Sequence, residues 1–113
     1  MKKVLVVCTG NMDRSPTAAM VLAEMCAPMW VMSAGTEPWA KNHLSGELVD
    51  EADVICVMEE QHRRHIRDRF GEAGAKKVIV LDIPDTYVCG DQRLIDVLKP
   101  KLRAILELRP SRR

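Results

Sequence analysis

A cysteine, an arginine and two conformationally permissive residues share one short stretch, Cys8-Thr9-Gly10-Asn11-Met12-Asp13-Arg14-Ser15-Pro16. In this C-x5-R spacing the thiol can act as nucleophile and the guanidinium as anion clamp. The intervening residues can wrap their N–H groups around a tetrahedral oxyanion, and a helix starting after the arginine adds partial positive charge. The same field favours a thiolate at Cys8. Arg14 can grip two phosphoryl oxygens bidentately and hold the charge that spreads in the transition state. Ser15 can cap the helix and donate its hydroxyl to the sulfur. Gly10 and Asn11 most readily take the positive φ that an inward-curling loop requires. Thr9 to Ser15 is therefore the expected phosphate-binding loop. The plainer alternative is a buried cysteine ending a strand, followed by an ordinary turn and helix cap.

The setting gives the spacing its weight, because C-x5-R alone is a weak signal. Lys3 to Val7 is a β-branched run that reads as a buried strand, and it delivers Cys8. A helix is expected over Pro16 to Cys26, with Ser15 as N-cap and Pro16 at its first position. Trp30 to Ser33 reads as a second strand closed by Gly35, and Ser45 to Asp50 as a short helix. Val54 to Val57 is a third buried strand. Glu59 to Phe70 is a helix ending near Gly71, with acids first and arginines last, as its dipole favours. Lys77 to Leu81 is a fourth strand, followed by the turn-rich segment Pro84 to Gly90. The C-terminal helix shows a stripe of Leu94, Leu98, Leu102 and Ile105 or Leu106, and Pro100 within it should kink or split it. Strands alternating with helices imply an α/β fold, a parallel sheet covered on both faces. Ligands of such sheets bind beyond the carboxyl ends of the strands, so the residues after Val7, Ser33, Val57 and Leu81 mark the site.

Composition excludes several other classes. The chain has 113 residues, read as one domain spanning 1–113, with neither repeat nor linker. Its 17 basic and 16 acidic residues nearly cancel, so no long-range field steers nucleic acid or an anionic membrane. Trp30, Trp39, Phe70 and Tyr87 are too few for a base-stacking platform. Cys8, Cys26, Cys56 and Cys89 show neither a C-x-x-C pair nor zinc-ligand spacing. Lys2-Lys3 and Val4 to Cys8 imitate a signal peptide, but Thr9, Asn11, Asp13 and Arg14 end the apolar run. The stretch Ala18 to Met32 contains Glu24 and Pro28 and is too short for a bilayer. A reduced, cytoplasmic protein is expected.

Other residues invite plainer readings. His62 and His65 lie three apart on a helix, but a metal site usually needs further ligands. The string His62-Arg63-Arg64-His65 with Arg67 and Arg69 reads as a solvated helix end rather than a phosphate-docking face. Met20, Met25, Met29 and Met32 read as soft core packing.

The run V-L-V-V-C-T-G-N-M-D-R-S-P-T-A resembles the signature of the low-molecular-weight protein tyrosine phosphatases, and most of all a short bacterial and archaeal branch of predicted phosphatases. Ser33-Ala34-Gly35-Thr36 resembles the family's S-A-G-T turn, followed by a tryptophan at Trp39. Val57-Met58-Glu59 is similar to its M-D or M-E turn, and Ile83-Pro84-Asp85-Thr86-Tyr87 to its acid loop. The resemblance runs collinearly from about Lys3 to Leu108. It implies a four-stranded parallel sheet flanked by helices, Cys8 as phosphoryl acceptor, Arg14 as oxyanion clamp and Asp85 as general acid. It further implies loop support from Asn11, Ser15 and Ser33, cleft walls at Trp39 and Tyr87, and no metal or organic cofactor. The implied partner is a phosphorylated protein or a small phosphomonoester.

Three departures from the family pattern matter. Asp13 stands where most members carry a second cysteine. At roughly 5 Å a carboxylate would repel the thiolate by about 3 kcal/mol at an effective dielectric of 20, unless it faces solvent or pairs with a cation. The usual partner for a protective disulfide is lost with that cysteine, and Cys89 is a weak candidate to replace it. Thr86 follows the acid where the family has proline, and Asp82 and Asp91 remain alternatives to Asp85. The stretch between Thr36 and Asp53 is shorter than in longer members, which alters the specificity surface. Three functions compete: a tyrosine phosphatase, a phosphoarginine phosphatase or arsenate reductase, and a catalytically weak phosphate- or phosphopeptide-binding module. Arsenate reduction needs a close pair of resolving cysteines that Cys56 and Cys89 do not supply, and phosphoarginine relatives tend to have threonine in place of Met12. A pure binder needs neither thiol nor acid.

Overall fold

The computed structural model describes residues 2–25 and 29–108. The strands are β1 (Lys2–Cys8), β2 (Met29–Gly35), β3 (Val54–Val57) and β4 (Val78–Val80). The helices are α1 (Arg14–Glu24), α2 (Gly46–Glu51), α3 (Glu60–Phe70), α4 (Glu72–Ala75) and α5 (Gln92–Leu108). All strands pair in parallel, in the order β2-β1-β3-β4, which is the four-stranded sheet expected. Successive residues of β1 point to opposite faces. Val4, Val6 and Cys8 pack with Ala18, Val21 and Leu22 of α1 and with Leu94, Leu98 and Leu102 of α5. Leu5 and Val7 join Val49 of α2 and Ile66 of α3 on the other face. From β1 the chain crosses to β2 on one side, and later enters β3 on the other. The carboxyl end of β1 is therefore the switch point, and Cys8 is its last residue.

Several local expectations are corrected. Helix α1 begins at Arg14, two residues before Pro16, with Asp13 at the N-cap position. Ser15 does not cap it, because its hydroxyl serves the cysteine. Pro16 is tolerated there because first-turn N–H groups lack intrahelical partners. The proposed end of this helix at Cys26 lies outside the described residues. Pro100 does not split α5, which runs as one helix from Gln92 to Leu108. The proline is exposed, and the fully buried Leu94, Leu98 and Leu102 fasten the helix on both sides of it. Ile105 and Leu106 lie among residues whose side chains are not described. Helix α4, a single turn after Gly71, has no counterpart in the sequence pattern. Met25, Met29 and Met32 pack against the core, whereas Met20 is exposed.

Candidate active site

Cys8 enters the loop 2% exposed, its sulfur beneath the turn that follows. The Asn11 N–H donates to Sγ at 3.2 Å, and Ser15 Oγ lies 3.0 Å away. Asn11 Nδ2 donates to Ser15 Oγ at 2.8 Å, so the one proton of that hydroxyl is available to a thiolate. Its other acceptor, the Ala34 carbonyl, is 3.5 Å off. Asn11 takes φ 54°, as expected, but Gly10 does not have positive φ. Glycine at position 10 has a different cause: a Cβ there would lie 2.5 Å from the Trp39 ring.

The loop's carbonyls are drawn outward by the segment after β2. Thr36, Glu37 and Lys41 donate their N–H groups to the carbonyls of Cys8, Thr9 and Gly10 at 3.0, 3.1 and 3.2 Å. The concave side is thereby left to amide N–H groups, as an anion cradle needs. This approach requires Gly35, since a Cβ there would sit 2.6 Å from the Thr9 carbonyl and 2.9 Å from the Asn11 nitrogen. Among the described residues, the Ser33 hydroxyl, expected to brace the loop, makes no hydrogen bond to it. The Ser33 carbonyl accepts from Asn42 Nδ2 at 2.7 Å, and the bracing comes from its neighbours Ala34 to Glu37.

Arg14 is 2% exposed and held on several sides. Nη1 donates to the Ile83 carbonyl at 2.7 Å and lies 3.3 Å from Glu59 Oε1. Nη2 reaches Thr9 Oγ1 at 3.4 Å, and Nε lies 3.7 Å from Asp85 Oδ1. Burial raises the Glu59 carboxyl, yet the Gln61 amide and the Arg14 guanidinium outweigh it and hold the group below its ordinary value. Glu59 closes the Val57-Met58-Glu59 turn, and only the fold brings it to Arg14.

His62 is 1% exposed and belongs to the loop rather than to a metal pair. The Glu59 N–H donates to Nδ1 at 3.0 Å, so Nε2 bears the proton and gives it to Thr9 Oγ1, 3.0 Å away. Both ring nitrogens are thus engaged. Burial, then the nearby Arg14 charge, lower its pKa to about 4. His65 instead meets the Phe70 ring edge-on. The arginines of α3 form a solvated end as expected, with Arg63 paired to Glu60 and Arg67 to Glu72.

A cleft over the loop is lined by Cys8, Thr9, Gly10, Met12, Asp13, Arg14, Trp39 and Asp85. Trp39 is 64% exposed and forms a wall, as expected. Tyr87 does not line this cleft; its apolar ring packs against the core under α1 and α5. Of the three acids, Asp85 faces the cleft. Asp91 instead takes the Arg93 N–H at 2.9 Å at the start of α5, a capping contact, and Asp82 is an exposed residue with φ 58°. Asp13 is half-buried at the cleft, where its Oδ1 accepts the Cys89 N–H at 2.9 Å; among the described residues it makes no ion pair. Cys89 is a free, exposed thiol with Sγ 3.8 Å from Thr17 Oγ1.

No family model matches the sequence. Among curated proteins, the low molecular weight protein-tyrosine-phosphatase Wzb of Salmonella typhi is 32% identical, over 75% of this chain and 76% of its own. The chain belongs to the low-molecular-weight protein-tyrosine-phosphatase family. Membership makes it a phosphatase, an enzyme with phosphorylated substrates. The crystal structure of the family member SP-PTP from Streptococcus pyogenes superposes with a TM-score of 0.85 at 18% identity, covering 99% of this chain and 95% of that one. The YwlE arginine phosphatase from Geobacillus stearothermophilus superposes with a TM-score of 0.70 at 26% identity, covering 100% of this chain and 99% of that one. Among the described residues, no helix is long and apolar enough to cross a membrane.

Proposed function

We propose that this phosphatase hydrolyses phosphomonoesters, chiefly protein phosphotyrosine, through a phosphocysteine intermediate, as one domain working in the reducing cytoplasm. The Cys8 thiolate attacks phosphorus in line, forming the S–P bond as the bond to the leaving oxygen breaks. Asp85 gives its proton to that oxygen. Its carboxylate then takes a proton from water, whose oxygen displaces Sγ and releases inorganic phosphate. Arg14 and the amides of Thr9 to Ser15 hold the equatorial oxygens throughout. Asn11 and Ser15 keep the loop in shape.

The supporting observation is the sulfur itself: it lies 3.0 Å from Ser15 Oγ and 3.2 Å from the Asn11 nitrogen, in a cleft shared with Arg14 and Asp85. Exposed Met12 and Trp39 give the cleft an apolar rim suited to an aromatic leaving group. Cys8 and Cys89 as free thiols fit a reducing compartment.

Hydrolysis of p-nitrophenyl phosphate, with and without vanadate, tests the chemistry. Cys8→Ser should lose at least about a thousandfold in kcat while still binding phosphate, and vanadate should inhibit only the unaltered protein. Equal activity in both proteins overturns the mechanism. The likeness to an arginine phosphatase supports a second reading, phosphoarginine as substrate. Paired peptides decide: faster turnover of the phosphotyrosine peptide is expected, and the reverse order transfers the assignment to phosphoarginine.

A further inference from the structure

Asp13 stands where the family resemblance expects a second cysteine, and it lines the same cleft as Cys8. The structure gives it a specific partner. Between Ile83 and the start of α5, the chain carrying Asp85 forms neither helix nor strand, and Pro84, Asp85, Thr86 and Val88 are exposed. Apart from the Tyr87 ring packed on the core, such a segment is ordered mainly through hydrogen bonds at its two ends. One end is pinned where the Ile83 N–H donates to the Met58 carbonyl at 2.8 Å and the Ile83 carbonyl accepts from Arg14. At the other end, the Cys89 N–H donates to Asp13 Oδ1 and the Gly90 N–H to Thr17 Oγ1, each at 2.9 Å. Thr17 Oγ1 in turn donates to the Asp13 carbonyl at 2.6 Å.

We propose that Asp13 is a positioning residue for the proposed reaction: it clamps the far end of the acid loop to the first turn of α1 and so fixes Asp85 over the cleft. Asp13 immediately precedes Arg14, so one rigid turn carries both the oxyanion clamp and the anchor of the acid. The clamp needs an acceptor oxygen at this position, and the family's cysteine would place a thiol there instead.

The inference rests on the phosphatase reading above, with Asp85 as acid, and leaving-group dependence tests it. A poor leaving group needs the proton from Asp85, and p-nitrophenol hardly does. Asp13→Ala should lower kcat on phenyl phosphate by about tenfold, a fraction of the full general-acid effect, and lower it much less on p-nitrophenyl phosphate. Asp13→Asn, which keeps an acceptor oxygen for the Cys89 N–H, should restore the original ratio between the two esters. In an Asp85→Ala background, Asp13→Ala should leave that ratio where Asp85→Ala has put it, because a residue acting through Asp85 has nothing left to position. Should Asp13→Ala not fold, Asp13→Cys lacks the oxygen and is read in the same way. Equal slowing of both esters, or a further change of the ratio in the Asp85→Ala background, overturns the role of Asp13 alone. Failure of the unaltered protein to turn over either ester overturns the phosphatase reading along with it.

Discussion

Titration of His62 is the sharpest physical test of how the loop is supported. Its ring is buried, accepts the Glu59 N–H at Nδ1 and donates to Thr9 at Nε2, an arrangement that only the neutral ring can make. Its pKa of about 4 lies below the ordinary histidine value of 6.5. Between these values the unfolded chain binds a proton that the native protein refuses, so stability rises with pH across this window and falls as pH drops through it. Lowering from 6.5 to about 4 corresponds to about 3 kcal/mol, fully present above pH 6.5 and lost by about pH 4. His62→Gln keeps a neutral side chain with a donor and an acceptor but cannot titrate. Thermal melts of both proteins from neutral to mildly acid pH should diverge, with the unaltered protein losing roughly 10 °C more than the variant. Parallel melting curves would show that His62 is charged in the native protein or accessible to water, and the neutral-ring account of the loop would fall.

Gly35→Ala should place a methyl group against the Thr9 carbonyl and the Asn11 nitrogen, costing about 1–3 kcal/mol and distorting the loop. A lowered melting temperature together with weaker phosphate binding checks it, and unchanged phosphate affinity would count against the packing argument. The two acids should separate cleanly. Asp85→Ala should cost about a hundredfold or more in kcat on phenyl phosphate. Asp91→Ala should lower stability only slightly through its lost cap, seen by melting with the ester ratio preserved.

Much of this was readable in the sequence because local chemistry and global fold agree in the first thirty-five residues. A buried strand, an asparagine able to take positive φ, an arginine and a serine fix the loop in chain order, and the β-branched runs fix the sheet. The misses share a physical cause: they depend on what lies across the fold. His62 looked like its neighbours on a solvated helix, and only the docking of α3 beside the loop buries it under Thr9. Ser15 had the sequence position of a cap, but the sulfur competes for its hydroxyl. Tyr87 had the position of a cleft wall, but burying its ring against the core removes it from the cleft lining. Asp13 reads as an electrostatic liability in the sequence because its partner, the Cys89 backbone, lies across the fold. Pro100 was judged by its lost hydrogen bond, whereas the leucines around it decide the continuity of α5.

The tie between the loop and distant parts of the chain also bears on when the protein acquires activity during folding. Thr9 is held by a residue 53 positions away, Arg14 by one 69 positions away and Asp13 by one 76 positions away. Contacts of such range close late, after the intervening chain has lost its entropy. A nascent β1–α1 unit would therefore carry every residue of the proposed phosphate loop and still lack its shape. Its thiol would react no faster than an ordinary cysteine, and turnover would begin only when the last strand and the acid loop have docked.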